Sequence, residues 1–244
     1  MSKWELIFFD NFDQKQLDLT KWNYVEAGDG FGNKELQYYT SRSKNIFIRN
    51  NQLVIKAYKE SFQHLEYTSA KITTKDKFSF QYGMVEVKVK LPIGKGIWPA
   101  IWMMPSDRRY GGWPSCGEID IMEIMGCQPE KIYGTIHFGI PHSENGPRYY
   151  IFNYNKKQFY TFKIIWEKDE ISWFVDDYCY GKTSDWFSKR DIEYPYPAPF
   201  DQPFYLIINL AIGGKFPGNL DDTTIFPQEY IIDYVKVYQR KESD

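Results

Sequence analysis

A chain of 244 residues is long enough to bury one large core, and its 30 basic and 32 acidic side chains, a net charge of -2, are scattered rather than grouped in blocks. That balance predicts neither nucleic acid nor a membrane surface as a partner, and no apolar segment approaches the ~20 residues that span a bilayer. Aromatics are the outlying statistic, with 8 Trp, 20 Tyr and 18 Phe, so the chain either has a bulky β core or presents flat rings to a ligand.

From the N terminus onward, period-two patterns recur along the whole length. The start, "MSKWELIFFDNFDQ", lacks the basic region and long apolar stretch of a signal peptide. "NIFIRNNQLVIKAY" predicts a hairpin turning at Asn50 and Asn51, two residues that tolerate turn geometry. In "FQYGMVEVKVKLP", Met84, Glu86, Lys88 and Lys90 alternate with Val85, Val87, Val89 and Leu91, giving one polar face and one core face. "YTFKIIWEKDEISWFVDD" predicts a second hairpin around 168–170, with Trp166 and Trp173 in the core. Only short pieces such as "TSDWFSKRDI", residues 183–192, have a pattern that permits a helical turn. "FYLIINLAIGG" and "EYIIDYVKVYQ" supply the late strands. Loops fall at "GDGFGNK", "MPSDRRYGGWPS", "HSENGP" and the proline cluster from Pro195 to Pro203, and none shifts composition enough to divide the chain. The expected fold is all-β, a sandwich or jelly roll, in one domain over 1–244.

The segment "GEIDIMEIMG" places Glu118, Asp120 and Glu123 in an otherwise apolar run. On a helix, at ~100° per residue, the three acids scatter around the axis. On a regular strand Glu118 and Asp120 share a face, Ile119 and Ile121 point to the core, and Glu123 points inward as well. One extra residue near Ile121 or Met122, a β-bulge, returns Glu123 to the face of the other two. The Cα atoms of Glu118 and Glu123 then lie roughly 12 Å apart, and side chains leaning together bring their carboxyls to the ~5–5.5 Å used in retaining glycoside hydrolysis. Three acids so close cannot all ionise, which leaves one proton available to a leaving group. An exposed acidic face or a calcium site is the alternative reading of the same three acids. Cys116 and Cys127 bracket this run at roughly 30 Å if it is extended, beyond disulfide reach, and with Cys179 they number three; all are read as thiols.

The surrounding motifs decide between these readings. "GKGIWPAIWMMP", "GGWPSCGEIDIMEIMG", "IYGTIHFG" and "NLAIGGKFPG", with "DNFDQ" and "ELQYYT" upstream and "DYVKVYQ" at the end, closely resemble glycoside hydrolase family 16 of the bacterial laminarinase type, the endo-β-1,3-glucanases. The resemblance covers nearly the whole chain. It implies a β-jelly roll of two stacked antiparallel sheets with a concave substrate cleft. By motif match Glu118 becomes the nucleophile, Glu123 the acid and then the base, and Asp120 the group that tunes their protonation. Met122 supplies a residue that the unbulged lichenase and xyloglucan relatives lack. Trp98, Trp102 and Trp113, which alone could equally be core, are implied to line the sugar subsites before the scissile bond.

Several further positions carry two readings. His137 in "GTIHFG" is either a structural strand histidine or a neighbour of the acid/base, and "HFGIPH" lacks the spacing of a zinc-binding helix, which argues against a catalytic metal. Asn45 and Glu35 sit in polar segments that resemble the cleft edge, or else form solvated loops. Lys71 stands where the family often has arginine, so a bidentate contact is lost, and Phe216 replaces a frequent tryptophan on the leaving-group side. No cofactor is expected for catalysis. A structural calcium is implied at Asp233, with Asn11 occupying a position where an acid is common. The implied partner is β-1,3-glucan, with mixed β-1,3-1,4 glucan as a second substrate, acted on by a monomer; the alternatives are a non-catalytic β-glucan-binding protein, disfavoured because both glutamates are present, and a relative acting on another glycan, a galactan hydrolase or a transglycosylase. A polymer substrate implies an extracellular enzyme whose leader is missing from this sequence, with the cytoplasm as the alternative.

Overall fold

Alternation does most of the sorting. Along Gly83–Lys90 the valines 85, 87 and 89 are fully buried while the residues between them are partly exposed, the pattern of a strand with one face on a core. The computed structural model describes residues 3–107, 109–188 and 194–241. Within them strands of this kind assemble into two packed sheets, the expected sandwich.

The outer sheet has ten strands and is organised around the long Gln228–Arg240, which pairs antiparallel with Trp4–Asp10, Gly83–Lys90 and Leu53–Phe62. The other sheet has eight strands. Its order runs Ser143–Asn145, Lys131–Phe138, Glu118–Ile124, Ile97–Pro105, Phe204–Ile212, Lys71–Thr73, Asn23–Tyr24, and Arg148–Tyr150 also pairs with Lys131–Phe138. Pairing is antiparallel except between Gln37–Tyr39 and Leu65–Ser69, a short parallel pair that the all-antiparallel expectation did not include.

Both predicted hairpins form. Asn50 and Asn51 have φ of 54° and 55°, and Arg49 and Gln52 exchange backbone hydrogen bonds of 2.9 and 3.1 Å, a two-residue turn with both central residues left-handed. Tyr160–Trp166 and Ile171–Val175 pair around 168–170. Of the segment allowed a helical turn, 183–188 is a strand end followed by irregular chain, and 189–192 lies outside the described residues. Cys116 is buried, Cys127 and Cys179 are exposed, and all three are thiols.

The core between the sheets explains much of the aromatic content. Trp22, Trp166 and Trp173 are fully buried, and each indole N–H finds an acceptor: Asp10 Oδ2 at 2.8 Å, Phe200 O at 3.2 Å and Asp120 O at 2.8 Å. The last of these ties the core to the acidic strand. Gly134 on the neighbouring strand leaves room for that indole, because a Cβ there would lie 2.4 Å from Trp173 Cδ1 and 2.6 Å from its Nε1. Gly134→Ala should therefore push Trp173 off Asp120, costing about 1–3 kcal/mol by overpacking. A thermal melt should show a loss of several degrees, together with reduced turnover; an unchanged melting point would remove this support from Asp120.

The implied calcium does not fit its residues. Asp233 accepts a hydrogen bond from Gln52 Nε2 at 2.8 Å, and Lys88 Nζ lies 3.0 Å from its other oxygen, so an ammonium already supplies the cation. Asn11 donates to Asp13 at 3.3 Å. Among the described residues neither belongs to a group of three His, Cys, Asp or Glu donors close enough to hold an ion.

Candidate active site

Three adjacent strands of the eight-stranded sheet build the floor of a cleft of about 640 Å³. Along Ile97–Pro105, Trp98, Ala100, Trp102 and Met104 face it, while Ile97, Ile101 and Met103 are buried in the core. Along Lys131–Phe138, Tyr133, Thr135 and His137 face it, and Ile132 and Ile136 are buried. The acidic strand lies between them. It keeps register with its neighbour at Asp120↔Thr135 but resumes at Glu123↔Tyr133, three steps against two. Ile121 and Met122 are both buried, so the extra residue is absorbed on the core side. Glu118, Asp120 and Glu123 all line the cleft, as the uneven spacing predicted.

Their environment suppresses ionisation. Asp120 is 2% exposed, and Glu118 and Glu123 are partly exposed at the floor. Burial pushes Glu118 up to about 8, with the charge of Asp120 adding to the effect and His137 opposing it. Burial likewise raises Asp120 to about 8, partly offset by its hydrogen bond with Glu118. Glu123 is raised well above the usual carboxylate range by burial, then by the charges of Asp120 and Glu118. Burial and mutual repulsion therefore disfavour full ionisation of the three, and Glu123 faces the charges of both neighbours. Trp98 Nε1 donates to Glu123 Oε1 at 3.1 Å and fixes that carboxyl.

The sequence-selected residues separate into three places. Trp98 is 9% exposed and packs against Phe216, with ring centroids 5.2 Å apart, at the Glu123 end; Phe216 also meets Tyr133 edge-on at 5.1 Å. Trp102 lies under Lys71, whose Nζ is 4.7 Å from its ring and 4.6 Å from that of Phe31. Trp113 is 53% exposed beside His137 and His142, the open ring of the three. Glu35 accepts from Gln37 Nε2 at 2.7 Å and Tyr39 Oη at 3.2 Å, and Tyr39 in turn accepts from Asn209, which holds Trp102 Nε1 at 2.7 Å. Burial raises Glu35 and lowers Lys71, and their mutual attraction opposes both shifts.

Asn45 is a correction. It is fully buried and away from the cleft, accepting from Thr40 Oγ1 at 2.7 Å and Arg42 Nη2 at 2.9 Å and donating to Lys56 O and Thr68 Oγ1, both at 3.0 Å. Its amide is fully used in pinning its own hairpin, so no donor remains for a sugar. Conversely, Phe31, Tyr39, His142, Glu144, Arg148 and Asn209 line the cleft without having been singled out. Phe31 and Asn209 lie inside the quoted "GDGFGNK" and "NLAIGG", where a glycine-flanked aromatic and a lone amide in an apolar strand were the available signals.

A two-sheet sandwich that carries a proton-holding carboxylate trio in an aromatic-lined cleft is the architecture of a glycoside hydrolase. The profile of Glycosyl hydrolases family 16 matches residues 33–236, and the chain belongs to that family. It is 40% identical to the glucan endo-1,3-beta-glucosidase A1 of Niallia circulans, over 97% of this chain and 38% of that protein. It is also 40% identical to the beta-glucanase of Rhodothermus marinus, over 97% of this chain and 85% of that one. The solved laminarinase of Rhodothermus marinus superposes with a TM-score of 0.89 at 39% identity, covering 99% of this chain and all of the other.

Proposed function

We propose that the chain is a retaining endo-β-1,3-glucanase that hydrolyses internal bonds of laminarin-type glucan by double displacement. The bulge carries this reading, because it gathers a nucleophile and a protonated acid on one face of the cleft. In its ionised form Glu118 attacks the anomeric carbon while Glu123 protonates the departing oxygen, leaving a glycosyl ester on Glu118. Glu123, now ionised, takes a proton from water, which opens the ester, and two inversions give net retention. Asp120, when ionised, disfavours the Glu123 anion and so favours the protonated acid that begins each cycle.

The cleft suits a polymer. Its lining comes from six successive positions across the sheet, from Lys71 through Asn209, Trp102, Asp120 and Thr135 to Glu144 and Arg148. Five strand gaps of ~4.8 Å make roughly 24 Å, room for several sugar rings. Trp113 offers the exposed stacking face, while Trp98 acts mainly by orienting Glu123. Lys71 and Phe216 tune chain-length and linkage preference, and a monomer exported from the cell is the working form.

Release of reducing ends from laminarin, lichenan and agarose, measured side by side, tests the substrate. Laminarin should be cleaved fastest and lichenan more slowly. Cleavage of agarose with laminarin untouched would overturn the reading.

A further inference from the structure

A second constellation stands at the rim of the same cleft. His137 and Glu144 are opposed across the pair formed by Lys131–Phe138 and Ser143–Asn145, and the turn between these strands carries His142 back over them. His137 Nδ1 lies 2.9 Å from His142 Nε2 and 3.7 Å from Glu144 Oε2. One donor atom from each of the three residues lies within 4.8 Å of the others. We infer that His137 Nδ1, His142 Nε2 and the Glu144 carboxylate form a binding site for a borderline transition-metal dication, zinc above all, and that its occupation antagonises hydrolysis.

The geometry needs little adjustment. Zinc–nitrogen bonds of ~2.05 Å at a tetrahedral angle hold two ring nitrogens roughly 3.3 Å apart, so the facing imidazoles need to part by only ~0.4 Å. Two imidazoles and one carboxylate suit zinc and not calcium or magnesium, which take oxygen ligands. Solvent completes the fourth position, because His142 and Glu144 are exposed.

Asp120 provides an independent sign. Its Oδ2 is buried without a completed hydrogen bond, and His137 Nε2 stands 3.2 Å away. A metal on Nδ1 holds the His137 proton on Nε2, facing that oxygen, the carboxylate–histidine–metal arrangement that orients a ligand ring. The site also reaches the cleft, because a hydrated dication there sits beside Trp113, whose ring is 4.8 Å from that of His142, and crowds the exposed face on which a sugar would stack. Spacing hid this site, since the donors come from a strand, a turn and the returning strand rather than from one helix.

Calorimetric titration of the full chain with zinc chloride at neutral pH tests the assignment without reference to any glycan. The background should be Cys127→Ser, Cys179→Ser, because those exposed thiols bind zinc themselves. One equivalent should bind, His142→Ala and Glu144→Gln should each weaken it at least tenfold, and His64→Ala, in a histidine that bonds Gly28 O outside the cleft, should leave it unchanged. No binding below millimolar zinc, or binding that survives His142→Ala, overturns the site. Zinc should also slow laminarin hydrolysis by the parent background, and His142→Ala should lose that sensitivity relative to its own zinc-free rate. That arm depends on the proposed glucanase activity and the titration does not, so the two can fail separately.

Discussion

Glu118→Ala and Glu123→Ala should each reduce laminarin turnover by at least ~10³-fold, and added azide should restore product formation with opposite stereochemistry in the two variants. Without the Glu118 carboxylate no ester forms. Azide in the vacated space attacks the anomeric carbon once, from the face opposite the leaving group, and yields a glycosyl azide of inverted configuration. Without Glu123 the ester on Glu118 still forms from a substrate with a good leaving group such as an aryl glycoside, but water lacks its base. Azide, which needs no base, opens the ester in a second inversion, and the product retains the original configuration. Anomeric configuration read by proton NMR assigns the two roles in a way that rates alone cannot. Exchange of the two outcomes would exchange the roles of Glu118 and Glu123; full activity in either variant would remove that residue from the mechanism.

The acidic strand was legible because its information is local. Period two, one surplus residue and two buried neighbours, Ile121 and Met122, decide where three side chains point, and no distant contact is needed to read it. The hairpin at Asn50 and Asn51 was readable for the same reason, since the turn is written in the residues that occupy it. What escaped depends on pairs far apart in sequence. The chain of bonds from Trp102 through Asn209 and Tyr39 to Glu35 joins residues up to 170 positions apart, and only the strand order brings them together. Asn45 shows the converse failure. A polar residue in a polar segment reads as exposed, yet four partners from its own hairpin and the adjoining strand Leu65–Ser69 take it wholly inside. The calcium expectation rested on Asp233, whose carboxylate is met instead by the ammonium of Lys88, an exposed-looking lysine on the neighbouring strand.

The cluster that makes the chemistry possible should also weaken the fold, in a pH window that its titration defines. Burial pushes Glu118 up to about 8 in the folded protein, against about 4.5 in an unfolded chain. Between those limits the folded state binds more protons than the unfolded one, so stability falls as pH rises through the window. Below it both states are protonated and the penalty vanishes. Glu118→Gln keeps the shape, removes the ionisation and relieves Asp120 and Glu123 of one neighbouring charge. It should stabilise the protein by about 2 kcal/mol at pH 8, since each unit of raised pKa is worth ~1.4 kcal/mol before water at the cleft floor screens part of it. For a chain of this size that is roughly 4–8 °C in melting temperature at pH 8 and almost nothing at pH 4. An equal gain at both pH values would mean that packing and not charge is responsible, and a loss at pH 8 would mean that the Glu118 carboxylate is better solvated than its burial implies. A gain confined to the alkaline side shows that the carboxylates are held together against their own repulsion, by the Trp173 bond to Asp120 O beneath the strand and the Trp98 bond to Glu123 within the cleft.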